Sequence, residues 1–367
     1  MSAAFRIGID VTREARGQPM SGEIDGEDII PHTRRVDFDH AVPQDVPEFH
    51  GDQLERVKAV VKHATAAEKL PRFWFTGPTG CGKTTAVRRL AQDLDAPLFT
   101  VQGLYDIRET DLLGGPTLRD GTVYWQDGPV TRALRSSQQR RTVLLFDEVN
   151  RARPEAKGVL FPILDGRAQV HTGRGSEIVE ADPYDLVVVV TTNEGPEYFV
   201  EQLDLAEQRR YGSKFEMSYL ATTDFEAAVD LLTERTRLCG PLARVVLTAV
   251  NEVRSTAERS RSTVDRGIPT SLVLEWAKTA RIYEDEGIDE PIMTAFRDVV
   301  VRPFYDEPDA VSTVVSTVQS FVQGAPLDPD RAREWVADDL SGALSDDDRS
   351  TLVENVLAGE AIDEADL

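Results

Sequence analysis

The 367-residue sequence predicts a three-layer α/β protein with a parallel sheet, followed by an all-helical region. Three observations carry this prediction. Residues 73–94 read as a buried strand, a glycine-rich loop and a helix in direct succession. Further short apolar strands alternate with helical segments as far as Leu220, which is the pattern of parallel βαβ units. Beyond Asp224, apolar residues recur only at helical spacing, which predicts helices.

Composition indicates an ordinary globular protein and argues against several functions. Hydrophobic residues make up 41% of the chain and aromatic residues 7%. The formal net charge is -23, so we do not expect a surface that coats duplex DNA. The two cysteines, Cys81 and Cys239, form neither a disulfide framework nor a metal cluster. The sequence has no signal-peptide pattern and no apolar run near the roughly 18 residues of a membrane span, so we expect a cytoplasmic protein without membrane contact.

The region before the predicted sheet offers little chemistry. Residues 1–45 are polar and acidic, and we assign them no function. His32, His40 and His50 lie at wide spacings, which favours solvated loop histidines over a metal site. Apolar residues then recur at helical spacing from Leu54 to Leu70, which predicts a helix just before the first strand of the sheet.

The glycine-rich loop matches the pattern Gly-x-x-x-x-Gly-Lys-Thr at residues 77–84. Its glycines let backbone N–H groups close around a polyphosphate, and the following helix adds the positive end of its dipole. Lys83 would reach the β- and γ-phosphates of ATP, and the Thr84 hydroxyl would bind Mg²⁺. A chance glycine-rich turn is disfavoured by the strand and helix on either side. The predicted phosphate-binding residues are Gly77, Pro78, Thr79, Gly80, Cys81, Gly82, Lys83, Thr84 and Thr85.

Polar residues follow two later strands of the predicted sheet. The apolar run at residues 141–146 ends in Asp147 and Glu148. Asp147 can hold an Mg²⁺-bound water, and Glu148 can orient and polarise the water that attacks ATP. Paired acids after a strand often only start a loop, but downstream of a phosphate-binding loop they indicate the second half of a nucleotide site. The strand at 186–193 ends in Asn193, which can touch the γ-phosphate or the attacking water, or else cap the next turn.

The helical region and the tail complete the predicted organisation. Helical spacing continues to Val322, and two short acidic helices are predicted at about Asp328–Leu340 and Asp346–Leu357. We therefore divide the chain into an N-terminal extension at 1–45, a nucleotide-binding core at 46–222, a helical lid at 223–305 and an acidic helical extension at 306–367.

Together these motifs resemble the AAA+ ATPases, and within them the MoxR-like branch that includes the CbbQ, NorQ and GvpN types. Residues 146–152, Phe-Asp-Glu-Val-Asn-Arg-Ala, are close to the branch's D-E-[IV]-N-R-A motif. Residues 111–134 look like its insertion in the second helix, and residues 164–180 look like its β-hairpin before the Asn193 strand. The resemblance covers residues from about 50 to 285. It implies an AAA+ P-loop NTPase core with a C-terminal all-helical lid.

The resemblance also implies two arginines that act on ATP. One would reach from a subunit into its neighbour's site, and its setting is matched by Leu203, Ala206, Arg210 and Tyr211. Arg209 is the adjacent rival for this role. The second sensor arginine is expected where Thr270 or Ser271 stands. Either Arg266 replaces it, or the lid couples more weakly to the γ-phosphate.

The function implied is a ring-forming, Mg²⁺-dependent ATPase that converts ATP and water into ADP and phosphate while it remodels or activates a protein client. The ring would be a hexameric homo-oligomer, and a partner with a von Willebrand A-type domain would take part. Within the predicted hairpin, Arg167, His171 and Arg174 would meet an acidic client segment, or would form a solvated edge.

Three other functions use parts of the same pattern. An AAA+ motor of the restriction or helicase-loader type would act on nucleic acid, but the acidic chain and the lack of a DNA-binding motif disfavour it. A monomeric P-loop kinase for a small molecule would lack the run from Asp147 to Ala152. A scaffold gated by nucleotide without turnover is disfavoured by Glu148 and Asn193.

Overall fold

The computed structural model describes residues 7–8, 23–24, 42–49, 52–67, 70–119, 121–173, 177–193, 205–259 and 262–338. The chain folds into two compact units. The first is formed within Met1–Thr76, Lys83–Thr192 and Val200–Phe215, and the second within Gly77–Gly82, Asn193–Phe199 and Glu216–Leu367. Some sequence predictions lie outside the described residues: His32, His40, His50, Arg174, Leu203 and the helix at 346–357.

The first unit is built on a five-stranded sheet. In chain order the strands of the protein are β1 Ile7–Gly8, β2 Glu23–Ile24, β3 Arg72–Gly77, β4 Leu98–Gln102, β5 Gly114–Arg119, β6 Thr122–Asp127, β7 Thr142–Asp147, β8 Gln169–His171, β9 Ile178–Glu180, β10 Leu186–Asn193 and β11 Ser213–Glu216. The sheet has the order β11-β3-β10-β7-β4, and β7 runs parallel to both β4 and β10. Every residue of β7 and β10 is buried, as expected for strands covered on both faces. The predicted α/β architecture is confirmed.

The first unit also contains the helices α1 Gln53–Ala67, α2 Lys83–Asp93, α3 Glu109–Leu113, α4 Pro129–Ser137, α5 Pro154–Leu164 and α6 Leu205–Arg210, with a short 3-10 turn at Val149–Arg151. Of these helices, α2 and α4 pack against strands of this sheet. In α2 the buried apolar residues Ala86, Val87, Leu90 and Ala91 recur at the spacing of one helix face. Pro129 and Pro154 begin α4 and α5, where proline lacks only an N–H that has no helical partner.

Two β-hairpins extend from this core. Strands β8 and β9 pair antiparallel with Val170 opposite Val179, so the hairpin predicted between residues 164 and 180 is confirmed. The segment read as an insertion in the second helix is also a hairpin, β5 with β6, which the sequence had not predicted as strands. Leu118, near its turn, is 70% exposed and Ile178 is 49% exposed, so both hairpins present apolar side chains to solvent.

In the described residues from Leu220 to Asp338 of the second unit, every regular element is a helix, as predicted. Its helices are α7 Leu220–Thr223, α8 Phe225–Thr236, α9 Gly240–Glu258, α10 Thr270–Asp285, α11 Pro291–Phe296, a π-helical turn Arg297–Val301, α12 Arg302–Phe304, α13 Pro308–Val322 and α14 Pro329–Asp338. Asp224 caps α8 by accepting a hydrogen bond from the Ala227 backbone N–H at 3.1 Å. No helix in the described part of the chain is long and apolar enough to cross a membrane.

One hydrophobic core joins these helices from Ala221 to Ala332. It includes Ala310, Val314, Val318 and Val322 of α13, which recur along one helix face. Residues 308–332 therefore share a hydrophobic core with the segment predicted as the lid. Residues 77–82 of the phosphate loop belong to this second unit. The division into four functional regions remains a prediction. By its packing, the chain forms two compact units.

Candidate active site

The phosphate loop, Gly77–Gly82, links β3 to α2 as the sequence predicts. Gly80 and Gly82 have φ angles of 72° and 102°, which favour glycine because a Cβ strains this left-handed region. A Cβ at Gly77 would lie 2.1 Å from the Met217 carbonyl oxygen. The loop therefore needs glycines for two reasons, backbone conformation and lack of space.

Lys83, Thr84 and Thr85 form the first turn of α2. Lys83 is buried although it is charged, and a lysine can bury its methylene stem while its ammonium group faces a polar site. The N–H groups of a first helical turn have no partner within the helix and carry partial positive charge. This turn can therefore receive an anion such as a phosphate group, as predicted from the motif.

The carboxyl ends of β4, β7 and β10 bring polar side chains together in the first unit. We call Thr84, Asp147, Glu148 and Thr191 the acidic edge. The Thr84 hydroxyl donates to the Asp147 carboxylate at 2.9 Å, and the Thr191 hydroxyl donates to it at 2.5 Å. A hydroxyl beside a carboxylate is a hard-oxygen donor set of the kind that Mg²⁺ prefers, so these residues fit that ion.

Glu148 has a fixed backbone directly after β7. Its φ angle is 52°, in the left-handed region that non-glycine residues rarely adopt and that is common at functional sites. Its backbone N–H donates to the Thr191 hydroxyl at 2.9 Å. Its carboxylate accepts a hydrogen bond from Gln102 at 3.3 Å and pairs with Arg151 at 2.9 Å. The side chain is therefore held beside the strand ends where a general base would act.

Sequence reasoning missed Thr191 and Gln102. The register of the parallel strands contains the signal, since Gln102 lies opposite Asp147 and Val190 lies opposite Phe146. The next residue of β10 is then Thr191, beside Asp147. Without knowledge of which strands are neighbours, these two polar residues look like ordinary strand ends.

Asn193 is the last residue of β10 and is buried. The chain from 194 to 204 lies outside the described residues. A buried amide at a strand end suits either predicted role, contact with the γ-phosphate or capping of the turn. Its assignment as a sensor remains a prediction.

Arg210 ends α6 and makes contacts within its own unit. Its Nε donates to the Asp165 carboxylate at 2.7 Å, and its guanidinium lies over the Phe161 ring, 4.7 Å from the centroid. Arg209 is exposed. The two candidates for the arginine finger thus differ: one is held at Asp165, and the other faces solvent.

Arg266, one of the two sequence-based explanations for the missing sensor arginine, contacts residues of its own unit, and its role as a sensor remains a prediction. Its guanidinium pairs with Asp265 at 2.9 Å and lies 5.4 Å from the Phe304 ring centroid. The hydrogen bond from Arg266 lowers the pKa of the Asp265 carboxyl. Thr270, where the arginine was expected, begins α10 and accepts a hydrogen bond from Arg254 at 3.4 Å.

The two hairpins of the first unit are joined to each other. Arg135 of α4 donates to Asp127 of β6 at 2.9 Å and to Glu177, just before β9, at 2.8 Å. Burial opposes its charge, but the hydrogen bonds and charges of these carboxylates outweigh that effect and raise the pKa of Arg135. A Cβ at Gly173 would lie 3.4 Å from the Trp125 ring, so the hairpins also pack together. They form one surface, which we call the hairpin pair.

Strand, phosphate loop, helix and acidic edge define the class of the protein as a P-loop nucleotide-hydrolysing enzyme. Residues 73–211 match the family described as AAA domain (dynein-related subfamily). NorQ of Paracoccus denitrificans (strain Pd 1222) is 36% identical over 154 residues, which cover 42% of this chain and 55% of NorQ. CbbQ of Hydrogenophilus thermoluteolus is 28% identical over 72% of this chain and 90% of its own length.

The denitrification regulatory protein NirQ of Stutzerimonas stutzeri is 31% identical over 235 residues, which cover 62% of this chain and 83% of NirQ. The chain belongs to the MoxR-like AAA+ ATPases, the group that contains NorQ, CbbQ and NirQ. It binds ATP and hydrolyses it. The resemblance seen in the sequence is thereby confirmed.

Proposed function

We propose that the chain is a subunit of a hexameric ring that uses Mg²⁺-dependent ATP hydrolysis to remodel or activate a protein client, together with a partner that carries a von Willebrand A-type domain. The hairpin pair carries the proposal for a protein client. The acidic edge and the phosphate loop support the chemistry, and the likeness to NorQ, CbbQ and NirQ supports the assembly.

The phosphate loop and the first turn of α2 bind the triphosphate in this proposal. Backbone N–H groups of Gly77–Gly82 and the Lys83 ammonium would neutralise the phosphate oxygens. Thr84 and Asp147, already in contact at 2.9 Å, would hold Mg²⁺, which when bound neutralises charge on the β- and γ-phosphates.

Glu148 is the residue that we propose acts on water. Its carboxylate would polarise and orient a water molecule whose oxygen attacks the γ-phosphorus, while the bond from that phosphorus to the β-phosphate oxygen breaks. The proton of the water would pass through the carboxylate to the products, ADP and phosphate. Thr191 fixes the backbone of Glu148 and the carboxylate of Asp147, so both acids are positioned before ATP binds. Asn193 would contact the γ-phosphate.

The hairpin pair has no role in this chemistry, which is why we assign it to the client. It is held as one surface by Arg135, and it exposes Leu118 and Ile178. His171 is exposed on β8, and the Arg167 side chain is 65% exposed beside Asp165. Apolar side chains next to basic ones suit an extended client segment with apolar and acidic residues.

Arg210 would act on the neighbouring subunit's ATP. A guanidinium can bind phosphate oxygens in a fork as charge spreads over the γ-phosphate. In the described chain it is held by Asp165, so engagement would require that pair to open. The loss of such a finger costs about 10³-fold or more in rate.

Mixing two inactive variants tests the ring. Lys83→Ala subunits lose their own site but keep Arg210, whereas Arg210→Ala subunits keep the site but lose the finger. Random mixing would pair an intact site with an intact finger at about a quarter of the interfaces of a heterologous ring, so ATPase activity should return in part. Arg209→Ala, at the exposed adjacent arginine, is the matched control and should stay active by itself.

Native mass spectrometry of the mixture would show whether rings form and contain both variants. No recovery in mixed hexamers would contradict the role of Arg210, and the absence of rings with ATP would contradict the proposed assembly. The role of the hairpin pair in client binding would then be tested with two kinds of ring, Glu148→Gln alone and Glu148→Gln combined with Arg135→Ala. Binding proteins would be captured on each. Equal capture by the two kinds of ring would contradict a role of the hairpin pair in client binding.

A further inference from the structure

Arg254 is a buried arginine near the end of α9, in the second unit, and is 2% exposed. Its Nε donates to the Ile268 carbonyl at 3.0 Å, and its terminal nitrogens donate to the side chains of Asn251 at 3.2 Å and Thr270 at 3.4 Å. These three acceptors are a carbonyl, an amide and a hydroxyl oxygen, and none of them carries a charge. Burial accordingly lowers the pKa of Arg254 to about 10. Arg254 therefore keeps its charge at neutral pH in a buried position, which is costly unless hydrogen bonds compensate for the lost water.

Tyr219 connects this arginine to the phosphate loop. The Arg254 guanidinium lies 3.8 Å from the centroid of the Tyr219 ring, which is a close cation–π contact. The Tyr219 hydroxyl lies 3.2 Å from the Thr79 carbonyl oxygen and 3.4 Å from the Gly267 carbonyl oxygen. Its single proton can therefore be donated to the phosphate loop or to the turn that begins at Gly267.

The turn Gly267–Thr270 contacts both the arginine and the phosphate loop. A Cβ at Gly267 would lie 3.0 Å from Arg254 Cγ, and a Cβ at Gly80 would lie 2.4 Å from Pro269 Cβ. The Thr270 backbone N–H donates to the Gly80 carbonyl at 3.3 Å. Tyr219 and Thr270 therefore donate hydrogen bonds to the carbonyl groups of two consecutive loop residues, Thr79 and Gly80. Arg254 contacts both of these donors.

We propose that Tyr219 and Arg254 are positioning residues for ATP binding: they hold the carbonyl groups of Thr79 and Gly80 so that the N–H groups of the loop face the phosphates. We call Tyr219, Arg254 and the turn Gly267–Thr270 the loop support. The inference rests on the proposed use of this loop as the ATP site. In this proposal Arg254 acts on the loop through Tyr219 and Thr270, both of which it contacts, and not through the nucleotide.

Tyr219→Phe is the sharpest test, because it keeps the ring over Arg254 and removes only the hydroxyl. Loss of one hydrogen bond should raise the KM for ATP about threefold to tenfold and leave kcat within about twofold. Arg254→Met keeps the length of the side chain but removes its charge, and should raise KM about tenfold to a hundredfold. If the two residues act together, the double variant should bind ATP no more weakly than Arg254→Met alone.

The matched control is Tyr283→Phe, which removes a hydroxyl that donates to Asp298 at 3.0 Å in the same unit but has no described contact with the phosphate loop. ATP binding is read as the rise in Tm on adding ATP and Mg²⁺, in a Glu148→Gln background so that turnover does not interfere. Tyr283→Phe should show the full rise, and Tyr219→Phe a reduced one.

The outcomes separate this inference from the proposed function. A full ATP-induced rise in Tm and an unchanged KM in Tyr219→Phe would overturn the inference while the ATP site stood. No rise in the parent protein would overturn the ATP site, and the inference with it. If Arg254→Met does not fold, Arg254→Lys replaces it, because lysine keeps the charge but loses the planar stack on Tyr219. The ATP-induced rise in Tm and the KM for ATP of Tyr219→Phe and Arg254→Lys then test the inference.

Discussion

The acidic edge and the loop support are built on different principles. In the acidic edge, the groups that matter are side chains, and the hydroxyls of Thr84 and Thr191 contact the Asp147 carboxylate directly. In the loop support, the groups that matter are the backbone carbonyls of Thr79 and Gly80, engaged by Tyr219 and Thr270. A site that depends on side-chain chemistry requires particular residue types, so it can be recognised as a sequence motif. A backbone carbonyl can be held by many residue types, so its support produces no motif.

This difference has a kinetic consequence. Groups that act on the attacking water contribute in the transition state, so their loss should lower kcat. Groups that shape the phosphate loop act equally on bound ATP and on the transition state, so their loss should raise KM. Three substitutions, in order of decreasing effect, test whether the two regions divide in this way.

The largest effect is expected for Glu148→Gln in the acidic edge. The amide keeps the size of the side chain but cannot take a proton from water, so kcat should fall about 10²- to 10⁴-fold. ATP affinity should stay close to that of the parent, and ATP-bound rings should accumulate. Single-turnover hydrolysis and equilibrium ATP binding measure the two quantities. Near-normal turnover would mean that another residue orients the water.

An intermediate effect is expected for Gly80→Ala at the loop support. The new Cβ would lie 2.4 Å from Pro269 Cβ at a φ of 72°, and overpacking of this kind costs about 1 to 3 kcal/mol. ATP affinity should fall about fivefold to a hundredfold, with a much smaller change in kcat.

Gly121→Ala is the matched control, since its φ of 81° carries a similar strain but, beyond Gly121 and its two chain neighbours, no described atom lies within 4 Å of the added Cβ. Gly121→Ala should lose a little stability and no ATP affinity. If both variants bound ATP equally well, the contact with Pro269 would have no part in shaping the loop. Isothermal titration of ATP into each variant gives the comparison.

The same contrast explains what could be predicted from the sequence. The parallel sheet, the phosphate loop, Asp147 with Glu148 and the strand ending at Asn193 could be predicted because strand patterns and catalytic side chains are local signals. Thr191 could not, since its role depends on β10 lying beside β7. Arg254 and Tyr219 could not, because the contacts that unite them with Thr79 join residues far apart in the chain. The shared core of α13 with the preceding helices was missed for the same reason.

The smallest effect is expected for Thr191→Val, which tests whether the acidic edge also depends on support from a neighbour. Valine keeps the shape and strand preference of threonine but removes the hydroxyl that contacts Asp147 and the Glu148 N–H. With that link lost, Glu148 is held less well and kcat should fall about threefold to tenfold, with little change in KM.

Thr192→Val is the control, because the Thr192 hydroxyl accepts a hydrogen bond from Trp74 at 2.8 Å instead. It should cost about 1 to 3 kcal/mol of stability by leaving the buried Trp74 N–H without an acceptor, yet preserve kcat. Steady-state kinetics and thermal unfolding of the two variants separate these outcomes, and a raised KM with normal kcat in Thr191→Val would break the division between the two regions.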